Sequence, residues 1–286
     1  MVGGLYGMFS SGLTLVLGST RVVNFAHGDF VTLGMYGAVV LAKVGLNPLE
    51  SLVPVGLIMF GIGAGVYLIA LRPSVTGRGR VEAQGTGFSH VQLVITLGLS
   101  LVIENVLQMI FSPDSQSVTG FLGGTARLGF IYIPDAQVAA FIIAVVVFAA
   151  LHSVLRYTTY GKALQATVDS PSSAALVGIN AGRIYLITFG LGSALAAIAG
   201  VILVTYYPAV PTTGSGLLTI AFVVIVLGGL GNPLGAFLSG IIVGVVEQLT
   251  ATYASLSLQD VGVYVVFLAA LLLFPRGILT RGRAAL

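Results

Sequence analysis

RYTTYGKALQATVDSPSSAALVGINAGR, residues 156–183, is the longest polar, helix-capable window in the chain, and it separates two apolar runs at 138–155 and 184–204. Arg156, Lys162 and Arg183 stand in it against one acid, Asp169. Asp169-Ser170-Pro171 reads as a helix start, with Ser170 as the N-cap and Pro171 at the first helical position, where its missing N–H costs nothing. Ala174, Ala175, Leu176 and Val177 continue that helix, and Gly178 and Asn180 punctuate it as C-terminal breakers do. The window therefore predicts two short helices joined by a turn, held between membrane spans on the positively charged side. Such an element suits docking to a soluble partner, and the same composition suits a solvated connecting loop.

Working outward, 57% of the 286 residues are hydrophobic and 7% charged, with a mean hydropathy of +1.06. A soluble domain carries roughly a quarter charged residues, so this chain cannot cover a water-facing surface and reads as an integral membrane protein. Its apolar runs have the length of helical spans, and short alternating ten-residue segments are absent, which favours a bundle over a barrel. Spans are expected near 2–19, 23–44, 52–71, 91–111, 137–155, 184–204, 217–231, 234–254 and 257–274. The expected fold is an all-α, polytopic transmembrane bundle of eight or nine spans. It would form a single domain over 1–286, with discontinuous helices near 21–30 and 228–235. The start of the chain has no basic lead or cleavage site, so no signal peptide is expected. Cysteine is absent, which excludes disulfides and thiolate metal sites.

Glycine is frequent, at 39 residues. Gly61-x-x-x-Gly65, Gly192-x-x-x-Ala196-x-x-x-Gly200 and Gly240-x-x-x-Gly244 each place small residues on one helix face, which reads first as close packing inside a bundle and second as a dimer seam. Orientation follows from Lys and Arg. Arg21, Arg72, Arg78, Arg80, Arg156, Lys162, Arg183, Arg276, Arg281 and Arg283 thread to one face, and only Lys43 and Arg127 to the other. That bias places the N-terminus outside and the C-terminus in the cytoplasm. The outer loop 112–136, with Gly120, Gly123, Gly124 and Pro134, could form a hairpin, and Gly129–Ile133 looks strand-like.

Two segments put polar or flexible groups at membrane depth. RVVNFAHGDF, residues 21–30, runs into a span with no soluble spacer; Asn24, His27, Gly28 and Asp29 read either as a discontinuous helix lining a cavity or as a turn in which Asp29 caps the second helix and His27 is a hydrogen-bonded structural residue. VLGGLGNPLG, residues 226–235, crowds Gly228, Gly229 and Gly231 with Pro233 into an apolar run, where glycines permit close backbone approach. These seven residues, Asn24, His27, Gly28, Asp29, Gly228, Gly229 and Gly231, are the candidate translocation path. Neither this run nor Gly161-Lys162-Ala163 is a phosphate loop, for want of the Lys and hydroxyl or the upstream Gly. Glu104 with Asn105 and Glu247 with Gln248 are intramembrane polar pairs, read as interhelical hydrogen bonds or functional carboxylates. No metal motif and no nucleophile–base pair accompanies them.

These segments, in this order, resemble the membrane permease subunit of bacterial ATP-binding-cassette importers for branched-chain and other hydrophobic amino acids, the shorter of the two permeases. The resemblance rests on Gly12-Leu-Thr14-Leu, RVVNFAHGDF and Gly34-Met-Tyr36; on Arg156-Tyr-Thr-Thr-Tyr-Gly161-Lys-Ala163; on Leu176-Val-Gly178-Ile179-Asn180 with Arg183; and on VLGGLGNPLGA through Gly240 and the ending Leu273-Phe-Pro-Arg-Gly-Ile-Leu279. It covers almost the whole chain. It implies a second permease, identical or homologous, two cytoplasmic ATPases that hold the ATP and Mg, and an extracytoplasmic binding protein. This chain would carry no cofactor, catalytic residue or metal of its own, would sit among lipid in the bacterial inner membrane, and would bind no nucleic acid. The loop 156–183 would then hold the coupling helix. Gly161, Lys162, Asp169, Ser170, Ala174, Ala175, Gly178, Ile179 and Asn180 would make the ATPase contact. Many importers carry Glu-Ala-Ala, three residues, then Gly; here Ser173-Ala174-Ala175 is followed by Gly178, one residue early. ATP-driven closure of the partner subunits would switch the open side of the bundle.

The family's cargo is commonly leucine, isoleucine and valine, and related systems carry urea or short amides. An ion-coupled secondary transporter or channel is the alternative of another class, suggested by His27, Asp29, Glu104 and Glu247; the docking loop and the lack of a midplane carboxylate cluster argue against it. An intramembrane enzyme fails for want of a paired catalytic constellation.

Overall fold

The computed structural model describes residues 1–73, 90–118, 124–128, 131–255, 258–273 and 277. Arg78, Arg80, Gly120, Gly123, Gly129, Arg276, Arg281 and Arg283 lie outside the described residues. The elements in chain order are α1 (Val2–Thr20), α2 (His27–Lys43), α3 (Pro48–Val66, prolonged by a π turn, Tyr67–Leu71), α4 (His90–Phe111), β1 (Thr125–Leu128), β2 (Ile131–Pro134), α5 (Asp135–Tyr157), α6 (Thr159–Asp169), α7 (Pro171–Leu176), α8 (Ala181–Leu203), α9 (Thr213–Gly228), α10 (Pro233–Tyr253) and α11 (Gln259–Leu273). Six helices, α1, α3 with its π turn, α4, α5, α8 and α10, are long and apolar enough to cross a membrane, and α9 and α11 are shorter apolar helices. The expected all-α bundle is therefore observed, and the 112–136 loop holds the expected hairpin as the antiparallel pair β1–β2, in which Thr125 faces Pro134 and Leu128 faces Ile131.

The bundle is built around α1 and α8. Inside the structure lie 89% of the α1 span and 72% of the α8 span, against 17–39% for the other four. Lipid tails are as apolar as leucine, so helices in a membrane gain by close contact of small residues rather than by escaping water. α1 presents such residues to three neighbours. Gly3 and Gly7 abut the backbone of α10 at Gly240 and Phe237; Gly12 meets Gly192 of α8; Gly4 meets Phe141 of α5. α8 repeats the device against α2 and α3, with Gly200 on Val31, Gly190 on Phe60 and Ser193 against Gly63. A Cβ added at Gly12 would stand 2.9 Å from the Gly192 carbonyl oxygen.

The Gly192–Ala196–Gly200 and Gly240–Gly244 faces pack as expected. Gly61 and Gly65 do not. A Cβ at either meets nothing within 4 Å, and the glycine between them, Gly63, is the one that packs against Ser193 of α8. A four-residue spacing marks a face of a helix without saying whether anything covers it.

Gly7→Val and Gly240→Val should therefore lower stability by about 1–3 kcal/mol or more, the usual range for overpacking, while Gly61→Val and Gly65→Val leave it unchanged. Thermal unfolding of the purified protein in detergent reads the difference; equal losses at all four positions would contradict this arrangement.

Candidate functional site

The window at 156–183 folds as two short helices joined at Ser170. Gly161 lets α6 fold back on α5, because its α-carbon lies against the Leu155 carbonyl with no room for a side chain. Leu164 and Thr167 bury the inner face of α6. Tyr160 and Thr188 hydroxyls share a hydrogen bond of 2.7 Å, tying α6 to α8. Burial pushes the Tyr160 phenol up to about 12, with the Thr188 hydrogen bond pulling the other way. Ser170 caps α7 by accepting from the Ser173 amide at 3.2 Å, with Pro171 next, as expected. α7 ends in a Schellman motif: the Gly178 amide donates to Ala175 O at 3.1 Å and the Ile179 amide to Ala174 O at 3.0 Å, with Gly178 at φ 84°. Asn180 behaves differently from the expected breaker. Its side chain accepts from the Arg183 amide at 3.2 Å and so starts α8.

Of the predicted docking residues, Lys162, Asp169, Ala175, Gly178 and Asn180 are exposed, Ser170 and Ile179 half-buried, and Gly161 and Ala174 buried. The residues that present apolar surface are Leu176, 89% exposed, and Val177, 74% exposed. They sit at the tip of α7, immediately before its glycine stop. Sequence alone places them on the helix without revealing which way they face.

The segment before α2 is re-entrant. α1 continues about 16 Å beyond Phe9, yet His27 Nε2 donates to the Phe9 carbonyl at 2.9 Å. Residues 21–26 must therefore climb back along α1, and six extended residues reach about 20 Å. Arg21 makes the reversal in the left-handed region, at φ 55°. Asn24 Oδ1 accepts from the Ala26 amide at 3.1 Å, and Thr96 of α4 donates to Val23 O at 3.2 Å. With a carbonyl as partner, Nε2 carries the proton, and neither the acceptor His27 Nδ1 nor the donor Asn24 Nδ2 has a partner among the described residues. Gly28 and Asp29 pack against Gly214 at the start of α9. Ser100 and Glu104 lie near the Asp29 carboxylate. Gln92, Thr96, Ser100 and Glu104, four residues apart, thus form a polar stripe on α4 facing this segment. Glu104 also accepts from Gln108, at 3.2 Å.

The second break is a tight turn between two helices. Gly228 lies on Gly235, Gly229 and Gly231 take φ 92° and 83°, and Asn232 caps α10 by accepting from the Gly235 amide at 3.0 Å. The Gly231 amide, which would otherwise be unsatisfied, donates to Thr14 of α1 at 3.0 Å. None of the seven candidate path residues lines the cavity beside Tyr6. That cavity, of about 300 Å³, lies near the start of α1, where α1, α2, α9, α10 and α11 meet. Tyr6 donates to Glu247 across it at 3.2 Å, the interhelical hydrogen bond expected of that carboxylate.

Apolar helices in this number, two polar breaks folded onto a glycine-faced central helix, and one exposed knuckle define a multi-pass membrane protein of the transport type. The chain belongs to the family described as branched-chain amino acid transport system, permease component, which matches residues 1–274. Among its relatives, the high-affinity branched-chain amino acid transport system permease protein LivH of Salmonella typhimurium is 30% identical over 98% of this chain and 92% of its own length. The corresponding BraD of Pseudomonas aeruginosa is 29% identical over 98% and 93%. The ribose import permease protein RbsC of Escherichia coli is more distant, at 28% over 82% and 70%. No solved structure matches the chain.

The Tyr160–Thr188 link predicts an alkaline weakness. A phenol whose pKa rises from 10.0 to about 12 on folding contributes stability that is complete below pH 10 and lost as pH climbs through 12. Hydrogen-exchange protection of α6, taken against the base-catalysed intrinsic rate at each pH, should fall over that window in the wild type. In Tyr160→Phe it should be lower at neutral pH and constant across the window; an identical fall in both proteins would exclude the phenol as the cause.

Proposed function

We propose that this chain is the permease subunit of an ATP-binding-cassette importer for branched-chain amino acids, and that it takes its energy from two cytoplasmic ATPases through the knuckle formed by α6 and α7. The observation that carries the energy coupling is the exposed apolar tip Leu176–Val177 on a capped helix of six residues. Two large apolar side chains held out of the bundle by a rigid stop favour a groove on a soluble partner. The names of the LivH and BraD relatives support the cargo.

The finer reading is nine spans, α1 to α5 and α8 to α11, with the N-terminus outside and the C-terminus in the cytoplasm of a bacterial inner membrane. A second permease and an extracytoplasmic binding protein would complete the assembly, with ATP and Mg held by the ATPases. The re-entrant segment and the 228–235 turn serve as rigid supports of α1, and the path opens through the cavity beside Tyr6.

The test is leucine uptake into proteoliposomes holding the whole assembly. Uptake should require ATP. Leu176→Asp combined with Val177→Asp should abolish ATPase binding, read by co-purification, without changing the thermal unfolding of the permease. Uptake driven by an ion gradient without ATPases, or normal coupling in the double variant, would overturn the reading.

A further inference from the structure

We infer that the cavity at the outer end of the bundle is a binding site for the ammonium end of the transported amino acid, with Glu247 and Asp260 as its anionic wall. This rests on the permease reading above and adds to it a place where the cargo is held. The volume, about 300 Å³, falls at the lower bound of ligand pockets, ~300–1,000 Å³, which suits one small molecule. The wall is divided. Met35, Leu203 and Ile220 supply apolar surface, while Glu247 from α10 and Asp260 from α11 bring two carboxylates, and among the described residues no Lys or Arg lines the space.

Glu247 is 8% exposed and makes one hydrogen bond within the described residues, from Tyr6. A carboxylate has about four lone-pair sites, so most of its accepting capacity is left to a guest. Glu247 is buried and Asp260 exposed, so the pair runs from the wall of the cleft to its surface, and two carboxylates so placed attract a cation. A guest carboxylate would find the Tyr207 and Thr213 hydroxyls and the Gln259 amide among the lining residues, and the first turn of α9, which begins at Thr213, reaches the same cavity, where the helix dipole favours negative charge. An aliphatic amino acid matches all three surfaces: ammonium to Glu247 and Asp260, carboxylate toward α9, side chain to Met35 and Ile220.

The chain has no cysteine, and a Cβ at Gly216, on the cavity wall, meets nothing within 4 Å. Gly216→Cys therefore gives a clean reporter in the assembled transporter. A cationic, quaternary-ammonium methanethiosulfonate should label it at least ten-fold faster than an anionic sulfonate analogue. Glu247→Gln or Asp260→Asn in that background should bring the two rates together. In the reconstituted assembly, Glu247→Gln should cut leucine uptake at least ten-fold while the loaded binding protein still stimulates ATP hydrolysis, and Glu247→Asp should recover part of it. Equal labelling rates in Gly216→Cys, or uptake by Glu247→Gln within two-fold of wild type, would overturn the site. Either result leaves the permease reading intact, since that reading fails only if the wild-type assembly shows no ATP-dependent uptake.

Discussion

Backbone-to-backbone approach along α1 is the constraint on which the rest depends. Gly3, Gly7 and Gly12 bring two other helices within main-chain contact of it. In a membrane this closeness substitutes for the hydrophobic drive of a soluble core. Because α1 is surrounded, the outer helices are free to be ordinary apolar spans with exposed Leu, Ile and Val facing lipid. Three helices are located by which side of α1 they touch: α5 on Gly4, α8 on Gly12, α10 on Gly3 and Gly7.

The two polar breaks obey a second constraint, that main-chain groups at membrane depth be bonded within the protein. Both are settled on α1. His27 reaches the Phe9 carbonyl, and Thr14 receives the Gly231 amide. What looks in one dimension like a pair of interruptions is in three dimensions a pair of fastenings, about a turn and a half of helix apart. The cavity lies elsewhere, toward the start of α1, and the breaks hold rigid the helix that forms one of its walls.

The helices were legible because a bilayer demands apolar runs of a set length, and the observed elements fall close to those runs. The knuckle was legible for a different reason: Ser170 caps through its own hydroxyl and Pro171 and Gly178 act through their backbones, so the effect of each is local. Asn180 was misread because the same residue type closes one helix and opens the next, and only the Arg183 amide decides. Gly61 and Gly65 were misread because a spacing carries no information about a partner. The exposure of Leu176 and Val177 was hidden for that reason too. The stripe on α4 is present at four-residue spacing, but the apolar residues between its members mask it. The cavity draws Tyr6, Met35, Ile220, Glu247 and Asp260 from the whole length of the chain, and no local pattern joins them.

The fastenings of α1 also set an order of assembly. Tyr6 and Glu247 are separated by 241 residues, Ser11 and Pro233 by 222, and Thr14 and Gly231 by 217. Contacts so distant along a chain form late, since loop closure must precede them. The innermost helix is thus among the first to be made and the last to be enclosed, and throughout synthesis its glycine faces wait in lipid, or beside an insertion factor, for α8 and α10 to arrive.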